Sequence, residues 1–446
     1  MAKSFRMQTY SSEQIEVKAA PGCNEFNRQA CGKKTVVFSP SSKTITVAKP
    51  VLREENGMAV LSAEVSGAVS GTCFFSTELA NRDFVDDVSS NCFLIGLLYT
   101  AMYAGCDLVL EGAVSEKLLF ETKHYMIPTL IGFFDKQLKP VKIQAAQLLS
   151  EVYPGANAVG TGLSGGIDSL HTIREFYLDY DGPVADKVNT LLFFNVGSHG
   201  MGHDKERLTW LEHKFQERRK VLERYSKSIG LPLVIVNSNI HAFMQSGHLQ
   251  TCTLASLSAA LFLGGKMRLY YMASTGHTYR GLIYPGVRST SIARIDDYIL
   301  PHVCTETFQA VSGGSACSRV QKTMAICSDP LVQKYLNVCN DHDTIEKNCS
   351  TCYKCLRTLL TLDILGVIDR FSESFDLDKF DEKARARYIA TVLNDRKKDP
   401  LLQDIYILAK QRHYNLRART TLLLRLYMRF SETKLFSVLR SALRRK

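Results

Sequence analysis

From Ala158 onward the chain alternates short apolar runs with amphipathic stretches, and this rhythm constrains its fold most. Ala158–Leu163 reads as a strand, followed by a helix over Ser169–Tyr180. Thr190–Asn195 (TLLFFN) reads as a strand, followed by a long charged helix over Asp204–Ile229. Leu233–Asn237 (LVIVN), an apolar helix over Thr253–Leu263 and a strand over Leu269–Ala273 complete the series. Strands alternating with helices predict a parallel, doubly wound sheet. Ligands of such sheets sit beyond the carboxyl ends of the strands, so the residues there are the ones to read.

After the first of these strands comes Ser164-Gly165-Gly166-Ile167-Asp168-Ser169, leading straight into a helix. Two glycines let the backbone approach an anion closely. A helix N-terminus adds free N–H groups and a favourable dipole. Ser164 and Ser169 supply hydroxyl donors, whereas an ionised Asp168 only accepts and suits a metal ion or a donor. The plain alternative is a tight turn with Asp168 or Ser169 as a cap. No GxxxxGK[ST] is present, which argues against ordinary γ-phosphate hydrolysis.

SGGIDS resembles the SGGxDS signature of the PP-loop, or N-type, ATP pyrophosphatases. That resemblance implies a HUP-like fold and cleavage of ATP between its α and β phosphates, with the loop holding pyrophosphate and Mg²⁺ assisting. It also implies nucleotide-neighbour roles for Asn195, Ser274 and Gly276, which follow later strands. Arg319 and Lys322 are three apart and share one face if helical; in the family such basic residues face phosphates. A solvated charged face is the alternative. His199 and His203 have H-x3-H spacing, but Gly200, Met201 and Gly202 between them disfavour a zinc-binding helix. A loop histidine at the mouth of the site is the better reading, and packing is the default for His171.

The second strong signal is Cys339-x9-Cys349-x2-Cys352-x2-Cys355. Four thiolates with two CxxC steps can close a tetrahedral zinc site of structural type. An iron–sulfur cluster and free thiols are the alternatives. Combined with SGGIDS, this spacing and the following Leu356-Arg357 resemble the 7-cyano-7-deazaguanine synthase (QueC-like) family, over roughly Ala158 to Gly366. The family converts a carboxyl group to an amide and then a nitrile with ATP and ammonia. Larger relatives occur in anti-phage and biosynthetic operons, and some modify a protein terminus.

Outside this stretch the chain is less informative. Polar residues 1–30 precede KTVVFSPSSKTITV (Lys34–Val47), which reads as a hairpin. Asn91–Ala104 is apolar nearly all round and predicts a buried helix. Glu116–Phe134 looks helical with a kink or break at Pro128. Short strands are expected at Leu108–Leu110 and Val141–Ile143.

Of the 55 Lys/Arg and 44 Asp/Glu in the 446 residues, Phe371–Lys446 holds 18 and 9. Most of the net charge of +11 therefore lies at the C-terminal end. Leu422, Leu423, Leu426, Phe430, Leu435, Phe436, Leu439 and Leu443 give that tail an apolar face with basic flanks. An RNA-binding arm, a docking helix, a membrane-surface helix and a helix packed on its own domain all fit. With 45% apolar and 22% charged residues, the chain is neither a coiled-coil rod nor mostly disordered. No apolar run is long enough to span a membrane, and the start has no apolar signal region. Thirteen cysteines without an export signal favour metal or catalysis over disulfides.

The expectation is therefore a cytoplasmic α/β protein in four parts. They are an α+β domain (1–150), a PP-loop domain (151–335), a four-cysteine module (336–370) and a basic helical region (371–446). The resemblance implies an ATP-dependent ligase that adenylates a carboxylate substrate, with Asp168, Ser169, Arg319 and Lys322 in the chemistry. ATP would bind at Ser164, Gly165, Gly166, Asp168, Ser169, Asn195, Ser274 and Gly276; zinc would bind at Cys339, Cys349, Cys352 and Cys355. A small carboxylated substrate, a protein acceptor from the same operon and RNA are the expected partners. An RNA sulfurtransferase, or a nucleotide-binding module without turnover, is the alternative.

Overall fold

The computed structural model describes residues 36–39, 41–197, 205–283, 291–339 and 347–416. His199, His203 and the tail beyond 416, with its apolar positions from Leu422 to Leu443, lie outside them. The strands are β1 (Val37–Phe38), β2 (Thr44–Val47), β3 (Val51–Glu55), β4 (Met58–Gly67), β5 (Val69–Glu78), β6 (Asp107–Ser115) and β7 (Ile143–Leu149). They continue as β8 (Ala158–Gly162), β9 (Thr190–Asn195), β10 (Leu233–Ser238), β11 (Met267–Ala273) and β12 (Gln309–Gly313). The chain divides into two compact units. The first is Met1–Val152 with Asn195–His213 and Val236–Gly265; the second is Tyr153–Phe194 with Lys214–Ile235 and Lys266–Lys446.

In the first unit β4 and β5 form an antiparallel hairpin, in register from Met58↔Glu78 to Val65↔Gly71. Strand β2 pairs antiparallel with β4 and parallel with β6, and β6 is parallel to β7. The hairpin expected over Lys34–Val47 does not form: β1 pairs with β5, and β2 lies between β4 and β6. Turn residues suggested a local pairing, but β2 buries Ile45 and Val47 completely in a sheet interior. Burial of that apolar edge outweighs the local turn preference.

The all-round apolar segment forms helix α1 (Asn91–Ala104), buried from Asn91 to Met102. It packs on β6 and on the helix His248–Phe262. Pro128 does not break the next helical run. A single π turn, Thr122–Met126, precedes it, so Pro128 sits in the first turn of Ile127–Phe134. The backbone stays helical through Glu121, Met126 and Ile127, and the wider π turn takes up the proline, an irregularity in place of a break.

The second unit holds the parallel sheet. Its strand order is β12-β11-β8-β9, continued by the first half of β10. The pairs β11/β12, β8/β11 and β8/β9 are all parallel. Helix α2 (Ile167–Ile173) follows β8, and α3 (Lys205–Ile229) follows β9. The residues of α3 in this unit bury Phe215, Leu222 and Tyr225. These join Val159, Leu191, Phe193 and Leu269 in one core. The same core takes in Cys349, Cys355, Leu359 and Leu360. The described fold is thus α/β with parallel strands, as the alternating grammar requires.

Four further helices complete the unit: α4 (Arg319–Ile326), α5 (Tyr353–Ile364), α6 (Glu382–Asp395) and α7 (Pro400–Gln411). Asp381 and Asp399 cap α6 and α7 with side-chain hydrogen bonds. Helix α7 buries Leu402, Ile405 and Leu408 and packs on α4 and α6. The start of the basic C-terminal region is therefore a helix docked on its own unit. No helix among the described residues is long and apolar enough to cross a membrane.

Candidate phosphate and metal sites

The glycine turn lies between β8 and α2. Gly165 has φ +76, a conformation that L side chains rarely adopt. Within the turn Ser164 Oγ and Ser169 Oγ are 3.1 Å apart, and Ser169 Oγ donates to Gly166 O at 3.0 Å. Gly166 N donates to Ser164 Oγ at 3.3 Å. The turn is held from outside too: Arg218 donates to Ser164 O at 2.6 Å, and Asn337 N to Gly165 O at 2.7 Å.

Helix α4 brings both expected basic residues to Asp168. Ser318 caps it in a reciprocal box with Gln321. Arg319 Nη2 lies 2.6 Å from Asp168 Oδ2, and Lys322 Nζ lies 3.6 Å from Oδ1. Lys322 is fully buried and donates to Ser274 O at 2.6 Å and Ser274 Oγ at 2.9 Å. Arg319 donates to Thr275 O at 2.8 Å. Gly276, at φ +84, leaves room for this guanidinium: a Cβ there would lie 3.1 Å from Arg319 Nε. Asp168, Arg319, Lys322, Ser274 and Gly276 thus converge. Asn195 belongs to the first unit, where its Nδ2 donates to Asn237 Oδ1 at 3.2 Å.

The electrostatics follow from burial. Desolvation lowers the Lys322 pKa, with Asp168 opposing that shift. His171 lies on α2, 3.5 Å from Glu175. Burial, aided by the charge of Lys322, depresses its pKa to about 4. The folded pKa is below the unfolded value, so the unfolded chain binds the extra proton. Stability from this group is complete above about pH 6.5 and is lost as pH falls towards 4. A shift of that size corresponds to at most about 3 kcal/mol. His171→Gln should therefore flatten the loss of stability between pH 6.5 and 4, measured by urea unfolding. An acid limb as steep as in the parent protein would contradict this.

The four cysteines converge as well. Their sulfurs all lie within 4.8 Å of one another. Cys339–Cys352 is 4.0 Å, Cys349–Cys355 3.8 Å and Cys352–Cys355 3.4 Å. Four thiolates at about 2.3 Å from one tetrahedral ion would stand about 3.8 Å apart. The set therefore fits one metal ion such as zinc. Backbone amides support the thiolates: Cys349 N donates to Cys339 Sγ at 3.4 Å, and Cys352 N to Cys349 Sγ at 3.2 Å. Cys352 is also the N-cap residue of α5, where the helix dipole favours negative charge.

Asn348 fastens the two cysteine segments together. Its Oδ1 accepts from Val338 N at 2.8 Å and Cys339 N at 3.1 Å. Its Nδ2 donates to Leu336 O at 2.9 Å and Ser374 O at 2.8 Å. The side chain is buried, so Asn348→Ala would strand Val338 N–H and Leu336 C=O, whereas Cys339 N keeps Asn337 Oδ1 and Ser374 O keeps the Asn348 backbone N–H. We expect a loss of about 3 kcal/mol or more in unfolding free energy, together with weaker metal retention. Parent-like stability and metal content would refute that.

Sequence reading missed Asn348, Arg218, Asn337 and Lys354, and gave Arg357 no separate role. Lys354 and Arg357 lie in the first turns of α5, and both feel the charges of Arg319 and Asp168. Their three-residue spacing was the available signal, since the same spacing linked Arg319 and Lys322. Compared with family models, curated proteins and solved structures, the chain finds no match.

Proposed function

We propose that the chain is an ATP-dependent enzyme of PP-loop type that adenylates a carboxylate and releases pyrophosphate. The observation that supports this best is the convergence of Arg319, Lys322 and Ser274 on Asp168 beside the glycine turn. Arg319 and Lys322, the two cations that flank Asp168, suit a polyanion better than a neutral ligand. Asp168 Oδ1 is buried without a hydrogen bond, an acceptor suited to a cation such as Mg²⁺. When bound, that ion would neutralise charge on the phosphate oxygens.

In this reading the substrate carboxylate attacks the α-phosphorus, and the bond to the β-phosphate oxygen breaks. Arg319 and Lys322 stabilise the charge on the departing pyrophosphate. An amine or ammonia then attacks the acyl carbon, and AMP leaves. The cysteine centre would play a structural part, because four protein ligands leave no open position on a tetrahedral ion. Carboxylated deazaguanines are the first substrates to try, on the resemblance to QueC-like enzymes.

Hydroxylamine intercepts acyl adenylates and tests the reading. With ATP, Mg²⁺ and a panel of such carboxylates, hydroxamate and AMP should accumulate in equal amounts. ADP formation, or AMP that appears only with tRNA, would sink the proposal. The tRNA-dependent result would favour RNA thiolation.

A further inference from the structure

The glycine turn and the cysteine centre share one stretch of chain. The segment from Tyr335 passes beside the turn and ends on the first cysteine, Cys339. A Cβ on Gly165 would lie 3.6 Å from Tyr335 O, and one on Gly166 would lie 3.7 Å from Asn337 O. Backbone carbonyls thus line this side of the turn, and an anion has to come from another.

Two donors outside the turn hold its carbonyls. Arg218 donates to Ser164 O at 2.6 Å, and Asn337 N to Gly165 O at 2.7 Å. In a trans peptide the C=O and the following N–H point in opposite directions. Holding Ser164 O and Gly165 O outward therefore turns the N–H groups of Gly165 and Gly166 inward. Gly166 N accordingly reaches Ser164 Oγ at 3.3 Å. Successive N–H groups that face one way make a cradle for an anion. Glycine is free to leave this conformation, so the outside bonds are what preorganise it.

The Asn337 amide is placed in turn by the cysteine centre. Its neighbours Leu336 O and Val338 N are both bonded to Asn348, and Asn337 Oδ1 accepts from Cys339 N at 3.3 Å. An ion shared by the four sulfurs would tie Cys339 to Cys352 and Cys355 at the start of α5. Without an ion, thiols make only weak contacts with one another.

We propose that the metal centre and the phosphate site are coupled through the Asn337 amide. Metal occupancy sets the shape of the glycine turn, and with it the affinity for pyrophosphate. Asn337 is a positioning residue that need touch neither ligand. This rests on the reading of the glycine turn as a phosphate site.

The test uses the full-length protein, with Mg²⁺-pyrophosphate as the probe in calorimetry. Asn337→Pro removes the N–H that holds Gly165. Leu336, at φ -58 and ψ 123, already has the backbone that precedes a proline. Cys339 N keeps Asn348 Oδ1 at 3.1 Å, so the variant should retain its metal. Its pyrophosphate affinity should fall about tenfold. Asn337→Ala restores the N–H and should recover the affinity to within about threefold of the parent. Stripping the metal from the parent with a chelator should also weaken pyrophosphate about tenfold. In Asn337→Pro the same treatment should have much less effect, because the link is already cut. If the stripped parent unfolds, the metal-loaded variants decide alone.

Parent-like pyrophosphate affinity in metal-loaded Asn337→Pro would overturn the coupling while leaving the ATP reading intact. So would equal affinity in the loaded parent and a stripped parent that stays folded. If the parent binds neither ATP nor pyrophosphate, the ATP reading itself fails, and the coupling with it.

Discussion

Lys322→Met should abolish most turnover while leaving the protein folded. The side chain is fully buried, and its ammonium spans Ser274 and Asp168. Methionine keeps the volume and removes the charge. Asp168 still has Arg319 at 2.6 Å, so no carboxylate is stranded. Exchange of a buried charge for a matched apolar group is often neutral for stability. Loss of one charge-stabilising donor in such a site lowers the rate by about 10²–10³-fold. Asp168→Asn should lose turnover to a similar degree but cost about 3 kcal/mol in stability as well, because two cations then lose their acid. Activity assays and denaturant unfolding on both variants separate the charge on Lys322 from its packing. Substantial activity in Lys322→Met would remove that residue from the chemistry.

The other large effect concerns the cysteine centre. Cys355 is fully buried, and its sulfur lies 3.4 Å from Cys352 and 3.8 Å from Cys349. Cys355→Ala would leave three thiols and an incomplete tetrahedron. Structural zinc sites commonly contribute about 10–16 kcal/mol to folding in small domains. A loss of about 5 kcal/mol or more is expected here, since the surrounding core also supports the fold. Metal content should fall from about one ion per chain to none. Amide exchange should speed up first around Asn348 and the start of α5, where hydrogen bonds lock the cysteine segments. The loss should reach the glycine turn through Asn337, whose amide holds Gly165 O. Unchanged metal content and unfolding midpoint in Cys355→Ala would contradict a metal-supported module.

Local periodicity made the second unit readable. Strand β9 covers the expected Thr190–Asn195, and the four-cysteine spacing matches sulfurs that meet in space. Arg319 and Lys322 lie on one helix, as their spacing suggested. Pairings set by distant burial were not readable. Strand β2 left the expected hairpin because Ile45 and Val47 fill an interior position between β4 and β6. Asn195 ends a strand of the expected series, yet the chain assigns it to the first unit. Asn348 has the four hydrogen-bond partners Val338, Cys339, Leu336 and Ser374, and only their meeting in space reveals its role.

The most direct measurement is the fate of α-labelled ATP in the presence of the metal-loaded protein, Mg²⁺ and the carboxylate panel. The account predicts label in AMP, or in an adenylate that decays to AMP, with one pyrophosphate for each AMP. It also predicts loss of that signal in Lys322→Met. Label recovered as ADP would contradict cleavage between the α and β phosphates, and with it the central claim.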